Sequence, residues 1–364
     1  CTASGSRTDL LHNFDIRMIK LISILLFAAS VGSTGIEVSD IATRSDSASA
    51  LNGLKSIDYI FQDSHNNYWI ASNGQGVYYY DGKTTRHYTV ADGLPSDNVW
   101  TIQEDARHTL WFSTRDGFAQ FDGKGFRDLT FLIHHAPLGQ PFFDQKGIFF
   151  PHLNGVCYYD GVVFTNLRIT PPDYKDPETN LYRPFGVYCT LLDSDGKLYL
   201  GTQEKGVGIK EGTSVRFLRE HDLAGPAVRT IFKDSKGIFW FGNNGGGLFR
   251  FDGTTLRNIT EEQNLGNAEF LRGKKLIDKP GSLARVFAIN EDQYGNLWIG
   301  TADAGVWKMD TTGQLSNYTE KDGLSGKQVT GIFKNRMGEL MFVSNGDMIS
   351  VFDGLRFTKF TINN

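Results

Sequence analysis

The sequence predicts an all-β protein, a seven-bladed β-propeller of four-stranded blades. Three observations predict this fold: one motif recurs along the chain, each copy contains four strand-sized runs, and aromatic residues are abundant. The chain has 364 residues, of which 40% are hydrophobic and 13% aromatic. That hydrophobic content can build a core and excludes wholesale disorder. The net charge of −4 argues against non-specific nucleic-acid binding, which needs a basic excess.

The recurring motif is clearest in residues 286–309, VFAINEDQYGNLWIGTADAGVWKM, where an apolar strand leads through an Asp-x-x-Gly turn to a Trp-Ile-Gly-Thr strand. The tryptophan position, here called the Trp slot, lies six residues after the turn Asp or its Asn substitute. The slot holds Trp69, Trp111, Phe150, Tyr199, Trp240, Trp298 and Met341. Successive slots are 42, 39, 49, 41, 58 and 43 residues apart. Such a period is typical of propeller blades.

Each copy divides into four predicted strands separated by turn signals. In the fifth copy these strands are Val228–Lys233, 238–242, 247–252 and 256–259, and the final strand of the last copy lies between Asp353 and Thr361. Aromatic and β-branched residues favour this pleated environment. A four-stranded unit of this length is one blade of a closed ring. The slot aromatics are therefore expected to form the core between blades, which explains the aromatic content without a cofactor, and we expect none.

The N-terminal region has the layout of an export signal. Residues 18–35 begin with Met18 and Lys20, continue with a short apolar run and end in small residues. The run is too short to cross a bilayer. We therefore expect residues 1–17 to be an upstream extension, residues 18–35 a signal peptide, and residues 36–53 a linker or a strand that closes the ring. A buried first strand or helix, or a lipidated Cys1, is the alternative for this region.

The motif DxxGxxWIGT resembles the two-component regulator propeller repeat, as do the linkers at residues 91–95 (ADGLP) and 321–325 (KDGLS). The resemblance covers about residues 54–361 and implies the periplasmic sensor part of a hybrid histidine kinase, often in bacteria that degrade polysaccharides. In this sequence no membrane helix, immunoglobulin-like domain or kinase follows the last blade. The resemblance thus implies a periplasmic or secreted binding module at residues 54–364, and it does not imply signalling output.

Motifs of catalysis and metal binding are absent from the sequence: there is no GxSxG, P-loop, HExxH or CxxC. His134 and His135 have no acidic or Cys ligand at metal-binding spacing beside them and are interpreted as loop. The turn aspartates lack the terminal Glu of an EF-hand calcium loop and are interpreted as caps of β-turns. Cys157 and Cys189 fall in apolar strands and are expected to be buried free thiols, with a disulfide as the alternative.

Candidate binding residues come from the loops after the slot strands, because these loops vary most between copies. The loops and the blade-to-blade linkers should emerge on one face, together with two insertions at residues 166–186 and 260–285. Amide, carboxylate, guanidinium and aromatic groups there suit a sugar or another small polar ligand. The predicted ligand-binding residues are Asn73, Trp100, Arg115, Asp116, Tyr188, Gln203, Asn243, Asn244, Asp303 and Asn345.

Three functions remain open at this point. The favoured one is a binding propeller without catalysis, which recognises a carbohydrate, another small polar ligand or a protein partner, and neither nucleic acid nor a metal. A propeller enzyme, a lyase or hydrolase, would need acid–base groups scattered over one face, and His152 with Glu204 is the pair available. A purely structural interaction module is the third.

Overall fold

The structure, a computed structural model, describes residues 54–135, 147–152, 155–171, 173–175, 183–212, 214–221, 223–271 and 281–360. The described strands form seven sheets of four strands, one for each predicted blade. In six blades the four strands follow one another along the chain and pair antiparallel with their neighbours. The predicted seven-bladed β-propeller is confirmed. The predicted N-terminal extension, signal peptide and linker lie outside the described residues.

Blades and strands are numbered along the chain, and the strand bounds are as follows. Blade 1 comprises β1 (Ile57–Gln62), β2 (Tyr68–Ser72), β3 (Gly76–Tyr80) and β4 (Thr85–Tyr88). Blade 2 comprises β5 (Val99–Glu104), β6 (Leu110–Thr114), β7 (Phe118–Phe121) and β8 (Phe126–Asp128). Blade 3 comprises β9 (Ile133–His135), β10 (Ile148–His152), β11 (Gly155–Tyr159) and β12 (Phe164–Arg168). Blade 4 comprises β13 (Val187–Leu192), β14 (Leu198–Thr202), β15 (Val207–Glu211) and β16 (Ser214–Leu218). Blade 5 comprises β17 (Val228–Lys233), β18 (Phe239–Asn243), β19 (Gly247–Phe251) and β20 (Leu256–Asn258). Blade 6 comprises β21 (Val286–Glu291), β22 (Leu297–Thr301), β23 (Val306–Met309) and β24 (Leu315–Tyr318). Blade 7 comprises β25 (Val329–Lys334), β26 (Leu340–Ser344), β27 (Met348–Phe352) and β28 (Phe357–Lys359).

Blade 3 departs from this pattern at both edges. Its slot residue Phe150 lies in β10, so β10 is the counterpart of the second strand elsewhere, and the start of the copy at Leu138 lies outside the described residues. At the outer edge β9 pairs parallel with β12. The interpretation of His134 and His135 as loop is wrong, because backbone pairing with β12 makes this short stretch a strand.

The turn between the first and second strand is held by its aspartate. An indole N–H donates to that carboxylate at 2.8–2.9 Å in four blades: Trp69 to Asp63, Trp111 to Asp105, Trp240 to Asp234, and Trp298 to Asp292. In blade 6 the backbone N–H groups of Tyr294 and Asn296 also donate to Asp292 at 2.9 Å. Burial opposes ionisation of Asp292, but the hydrogen bonds from Trp298 and Asn296 outweigh burial and lower the pKa of Asp292. These bonds support the interpretation of the turn aspartates as caps.

The core lies between neighbouring blades, as predicted for the slot aromatics. Trp69 of blade 1 packs against Phe112 and Phe121 of blade 2, with ring centroids 5.5 and 4.8 Å apart. Trp298 of blade 6 packs in the same way against Phe342 of blade 7, at 5.4 Å. Burial of these rings removes large apolar areas from water and joins adjacent blades into one fold.

The ring closes between blade 7 and blade 1 without an exchanged strand among the described residues, because the strands of each of these blades are consecutive in the chain. Apolar side chains of both blades form one cluster, which includes Ile57, Ile60 and Met341. The backbone N–H of Arg336 also donates to Oε1 of Gln62 at 2.7 Å. The same contact joins other blades, for example Ser235 N–H to Glu291 Oε2 at 2.9 Å between blades 5 and 6. The closing joint is therefore built like the other joints.

Helices are few and short. Helix α1 (Ile259–Glu262) and helix α2 (Ala268–Leu271) lie between blades 5 and 6, and 3₁₀ turns occur at Val90–Asp92, Thr130–Leu132 and Glu320–Asp322. The fifth copy's last strand ends earlier than predicted, because the Asn258 side chain accepts from Glu261 N–H and caps α1. Within the described ranges no helix is long and apolar enough to cross a membrane.

The two cysteines of the described blades are free, buried thiols, as expected from their strands. Cys157 lies in β11 and Cys189 in β13. Burial raises the pKa of both thiols to about 12, so both are protonated at neutral pH. Unreactive thiols of this kind are packing residues.

Candidate functional site

One face of the ring, here called the loop face, carries the loops between second and third strands together with the blade-to-blade linkers. A repeated hydrogen bond fixes these two segments to each other: the first loop residue donates its backbone N–H to the carbonyl that precedes the first strand. These bonds measure 2.8–3.0 Å and join Asn73 to Ser56, Arg115 to Asn98, Gln203 to Gly186, Asn244 to Ala227, Ala302 to Arg285, and Asn345 to Gln328. The prediction that loops and linkers share a face is confirmed.

A β-bulge follows at the second residue of each described first strand. The register shifts there in six blades, and the bulged residues are Asp58, Trp100, Tyr188, Arg229, Phe287 and Thr330. A bulge leaves one residue unpaired and re-aims its side chain. The first strands are the innermost strands of the ring, so these six positions, here called the collar, surround its central channel near the loop face.

Contacts within this collar support its position. The guanidinium carbon of Arg229 lies 3.9 Å from the ring centroid of Tyr188 in blade 4 and 5.4 Å from that of Phe287 in blade 6. Equivalent positions in three successive blades can touch only where the blades converge, which is at the channel. Arg229 is 2% exposed, and its two aromatic neighbours are 7% and 8% exposed. This part of the collar is closed.

A second buried polar group lies beside it on the loop face. Arg285 Nε donates to Asn244 Oδ1 at 3.0 Å, and Arg285 Nη1 lies 3.4 Å from Asp303 Oδ2. The ring of Phe270, from α2, covers the Arg285 guanidinium at 4.8 Å. We call the loop face of blades 4 to 6 the closed sector, because these polar side chains are buried and contact other protein groups.

The loop face of blades 7, 1 and 2 is different and is here called the open sector. Its collar residues Asp58 and Trp100 are half-buried. Asn73 and Asn98, which form an isolated β-bridge next to them, are also half-buried. Arg115 lies at the rim and is exposed. The open sector therefore carries carboxylate, amide and guanidinium groups and one indole that are half-buried or exposed.

The ten predicted binding residues divide between the two sectors. Five belong to the open sector and are half-buried or exposed: Asn73, Trp100, Arg115, Asp116 and Asn345. Five belong to the closed sector and are buried: Tyr188, Gln203, Asn243, Asn244 and Asp303. Among the latter, the Tyr188 hydroxyl donates to Gln203 Oε1, and Gln203 Nε2 donates to the Pro226 carbonyl at 2.8 Å. Tyr188 and Gln203 thus form a buried chain of hydrogen bonds that ends on the backbone of the loop face.

Asn243 has a specific structural place. Its Oδ1 accepts from Gly246 N–H at 2.8 Å and its Nδ2 donates to the Leu223 carbonyl at 3.2 Å. In blades 4 and 6 the same strand position is a threonine that holds the loop: Thr202 accepts from Lys205 N–H at 2.9 Å, and Thr301 from Ala304 N–H at 2.8 Å. In blade 5, Asn243 therefore holds the loop after the second strand as these threonines do in blades 4 and 6.

The sequence analysis missed four collar residues: Asp58, Arg229, Phe287 and Thr330. A signal for them is present, since each follows the Val or Ile that opens a first strand and that position differs in every copy. The bulge that makes the position special is invisible in the sequence.

The residues considered for catalysis are not brought together in the described part of the chain. Glu204 is exposed and its backbone N–H donates to the Pro184 carbonyl at 3.0 Å. His152 ends β10, and its side chain lies outside the described residues. Among the residues described, no group of three His, Cys, Asp or Glu side chains is placed to hold a metal ion.

The fold is a propeller of seven repeated four-stranded blades. The resemblance noted from the sequence is confirmed: the two-component regulator propeller family matches at residues 93–116 and 280–303. No curated protein matches the chain by sequence.

Solved structures share the fold at low identity. An extracellular domain assigned to the hybrid two-component system BT4673 from B. thetaiotaomicron is 16% identical with a TM-score of 0.57, over 82% of this chain and 38% of that one. The chain thus spans well under half of that relative. Catalytically inactive virginiamycin B lyase from Staphylococcus aureus with quinupristin is 16% identical with a TM-score of 0.51, over 80% and 92%. The WD40 propeller of Doa1 is 11% identical with a TM-score of 0.53, over 83% and 96%.

Proposed function

We propose that this chain is a ligand-sensing propeller that binds a carbohydrate or similar small polar molecule in the open sector, without chemistry of its own. The observation that carries the proposal is Trp100, an indole on the collar that stays half-exposed where the equivalent aromatic residues of the closed sector are buried. Large aromatic rings are normally buried, so a collar ring that stays partly exposed is a candidate contact surface.

The groups around Trp100 suit a sugar. An indole face stacks on the apolar face of a pyranose, while Asp58, Asn73 and Asn98 offer carboxylate and amide groups that accept or donate hydrogen bonds to hydroxyls. The repeated backbone bond between loop and linker holds Asn73 and Asn98 in place in the absence of ligand. Preorganised groups of this kind lower the entropic cost of binding.

The proposal includes a location outside the cytoplasm and a role in sensing. The export-like segment at residues 18–35 supports the location. The matched propeller repeat and the extracellular origin of the BT4673 domain support the role.

The test is thermal unfolding of the chain with a panel of oligosaccharides, followed by titration calorimetry of each compound that shifts the midpoint. A ligand at 100 times its dissociation constant stabilises the fold by roughly 2.7 kcal/mol. We expect Trp100→Ala to abolish the shift, because a sugar can stack on this position only if the indole ring is present.

The control variant is Lys236→Ala, an exposed residue in the turn between the first two strands of blade 5, on the opposite face. It should leave the shift unchanged. A ligand that stabilises Trp100→Ala as much as the wild type would place binding elsewhere. No shift with any oligosaccharide would contradict a carbohydrate ligand and favour a protein partner, which pull-down with the loop-face variants would then address.

A further inference from the structure

The face opposite the loop face, here called the turn face, carries the turns between first and second strands and between third and fourth strands. Most of these turns have a tip, the residue two positions after the turn Asp or Asn, whose backbone N–H donates to Oδ1 of that residue at 2.8–3.1 Å. All of these tips are exposed. In the described turns they are His65, Lys83, Arg107, Lys124, Val162, Lys236, Thr254, Tyr294, Thr312, Met337 and Leu355.

The side chains at the tips are mostly cationic or apolar. The cationic tips are Lys83, Arg107, Lys124 and Lys236, and the large apolar tips are Val162, Tyr294, Met337 and Leu355. None of the tips defined above is acidic, although the whole chain has a net charge of −4. The bond that defines a tip uses only the backbone of the tip residue, so the fold does not select the side chain there. This composition therefore indicates a contact surface.

Apolar tips are concentrated in blades 6 and 7. Tyr294 is 74% exposed, Met337 is 72% exposed and Leu355 is 85% exposed. The turns that carry Tyr294 and Met337 adjoin, because a Cβ placed on Gly338 would lie 3.7 Å from the Cβ of Gln293. Leu355 is the tip of the second turn in the same blade as Met337. Single exposed apolar residues are ordinary, but these tips on adjoining turns form a patch.

Cations flank this patch. Arg336 precedes Met337 in the chain and Arg356 follows Leu355, and both arginines are exposed. The cationic tips of the neighbouring blades, Lys83 in blade 1 and Lys236 in blade 5, lie on either side of blades 6 and 7.

The acidic groups of these turns already have partners within the protein. Asp353 accepts from two backbone N–H groups of its own turn at 2.8 Å. Glu339 Oε2 accepts from Asn335 Nδ2 at 2.8 Å. In blade 4 the residue equivalent to a tip is Asp195, whose carboxylate accepts from Lys197 Nζ at 2.6 Å. The turn face thus offers apolar and cationic side chains to a partner.

We propose that the turn face binds an anionic lipid surface, with the apolar tips of blades 6 and 7 in the interface and the cationic tips beside the lipid phosphates. Tips project as separate side chains from turns around a ring, so they suit a flat partner without pockets. Apolar side chains rimmed with Lys and Arg bind the interface of anionic bilayers in this way. The loop face would then point away from the lipid, towards soluble ligands. The proposal is independent of the ligand proposed for the open sector.

The test measures co-sedimentation of the full chain with two kinds of vesicle, phosphatidylcholine containing phosphatidylglycerol and phosphatidylcholine alone. We expect binding to the anionic vesicles to be more than about tenfold tighter and to weaken as salt rises, because salt screens exposed charges. Lys83→Gln and Lys236→Gln should each weaken binding about fivefold. The triple variant with Ser at Tyr294, Met337 and Leu355 should bind about a hundredfold more weakly.

The matched control has Ser at Val90 and Phe131, which are exposed apolar residues of the loop-face linkers, 53% and 71% exposed. It should leave binding to anionic vesicles within about twofold. All of the substituted side chains are exposed, so these variants should fold as the wild type does.

A fluorescence measurement locates the contact. Met337→Trp and Phe131→Trp are compared on anionic vesicles that contain brominated lipid, which quenches tryptophan fluorescence on contact. We expect quenching beyond that of the wild type for Met337→Trp alone. Both variants retain residues 18–35, so any lipid binding by that apolar run affects them equally.

Equal binding to anionic and neutral vesicles, no binding to either, or equal quenching of the two Trp variants would overturn the inference. A wild-type dimer in light scattering that the triple Ser variant loses would also overturn it, because the patch would then join two copies of the chain. None of these results bears on ligand binding at the loop face, which the oligosaccharide panel tests separately.

Discussion

The open and closed sectors of the loop face share one backbone plan and differ in what their side chains do. Both have the bulge at the second residue of the first strand and the bond between loop and linker. In the closed sector Arg229 is buried between two aromatic rings, and the buried Arg285 and Asp303 form an ion pair. In the open sector Asp58 and Trp100 remain partly exposed. The repeat thus supplies equivalent positions, and side-chain burial decides which of them serve stability and which are available for binding.

The largest effect is expected where a collar residue is a packing residue. Arg229→Ala removes a fully buried guanidinium from between two rings and leaves a cavity, which should lower the free energy of unfolding by about 3 kcal/mol. Urea unfolding followed by tryptophan fluorescence measures this change. Trp100→Ala in the open sector should cost about 1 kcal/mol, because its ring is already partly in water. Equal losses for the two variants would erase the distinction between the sectors.

A smaller effect is expected for the hydrogen bond from the slot tryptophan to the turn aspartate, which occurs in blades of both sectors. Asp292→Asn should cost about 1 kcal/mol at neutral pH, because a charge-assisted bond to the Trp298 indole becomes a neutral one. The pKa of Asp292 is lowered in the folded state, so its contribution is complete above the unfolded pKa and disappears as pH falls through the folded pKa. The variant should therefore lose less stability on acidification than the wild type.

The control for this effect lies in blade 7, where the turn residue is Asn335 and the slot is Met341, which has no N–H to donate. Asn335 accepts from Met337 N–H at 3.0 Å and Glu339 N–H at 2.9 Å, as the aspartates do. Asn335→Asp should add no bond to the slot. Asp292→Asn and Asn335→Asp could change the loss of unfolding free energy at low pH by equal amounts. The hydrogen bond from the indole would then not be the cause of that loss.

The fold was accessible from the sequence because the features that build it are local and repeated. The turn Asp, the slot Trp and the Gly before the third strand each act within one copy. Gly305 shows the constraint: its φ is 72°, and a Cβ there would lie 2.2 Å from the Tyr318 carbonyl oxygen, so only glycine fits. Because such signals recur in seven copies, the number of blades can be predicted from the sequence.

The candidate site was accessible only in part, because burial at the loop face depends on contacts between blades. Variation among copies pointed to Asn73 and Asn244 alike, yet the first is half-exposed and the second is bonded to Arg285 from the next blade. Arg229 escaped notice because a single arginine in an apolar strand gives no sign of the two rings that flank it. Blade 3 was predicted as a degenerate copy that begins at Leu138, and the pairing of β9 with β12 has no sequence signal.

The joint between blades 7 and 1, which closes the ring, offers a further comparison with the joint between blades 5 and 6. Gln62→Ala removes the acceptor for Arg336 N–H between blades 7 and 1, and Glu291→Ala removes its counterpart for Ser235 between blades 5 and 6. We expect about 1 kcal/mol for Gln62→Ala, an exposed contact, and more for Glu291→Ala, whose side chain is buried and accepts two bonds. Hydrogen exchange should show faster opening at the affected joint alone. Global opening from either variant would mean that the joints are not independent.

The smallest effect is expected at Asn243, and it separates a holding role from a binding role. Asn243→Thr places in blade 5 the residue that holds the same loop in blades 4 and 6, where Thr202 and Thr301 hydroxyls also donate to the carbonyls of Gly206 and Gly305 at 2.8 and 2.9 Å. The free energy of unfolding should change by about 0.5 kcal/mol or less, whereas Asn243→Ala, which leaves Gly246 N–H without its acceptor, should cost about 1–2 kcal/mol. Neither variant should alter the affinity for a ligand held by Trp100. Loss of affinity in Asn243→Thr with unchanged stability would show that the amide touches the ligand, and the boundary between the sectors would then have to move to include blade 5.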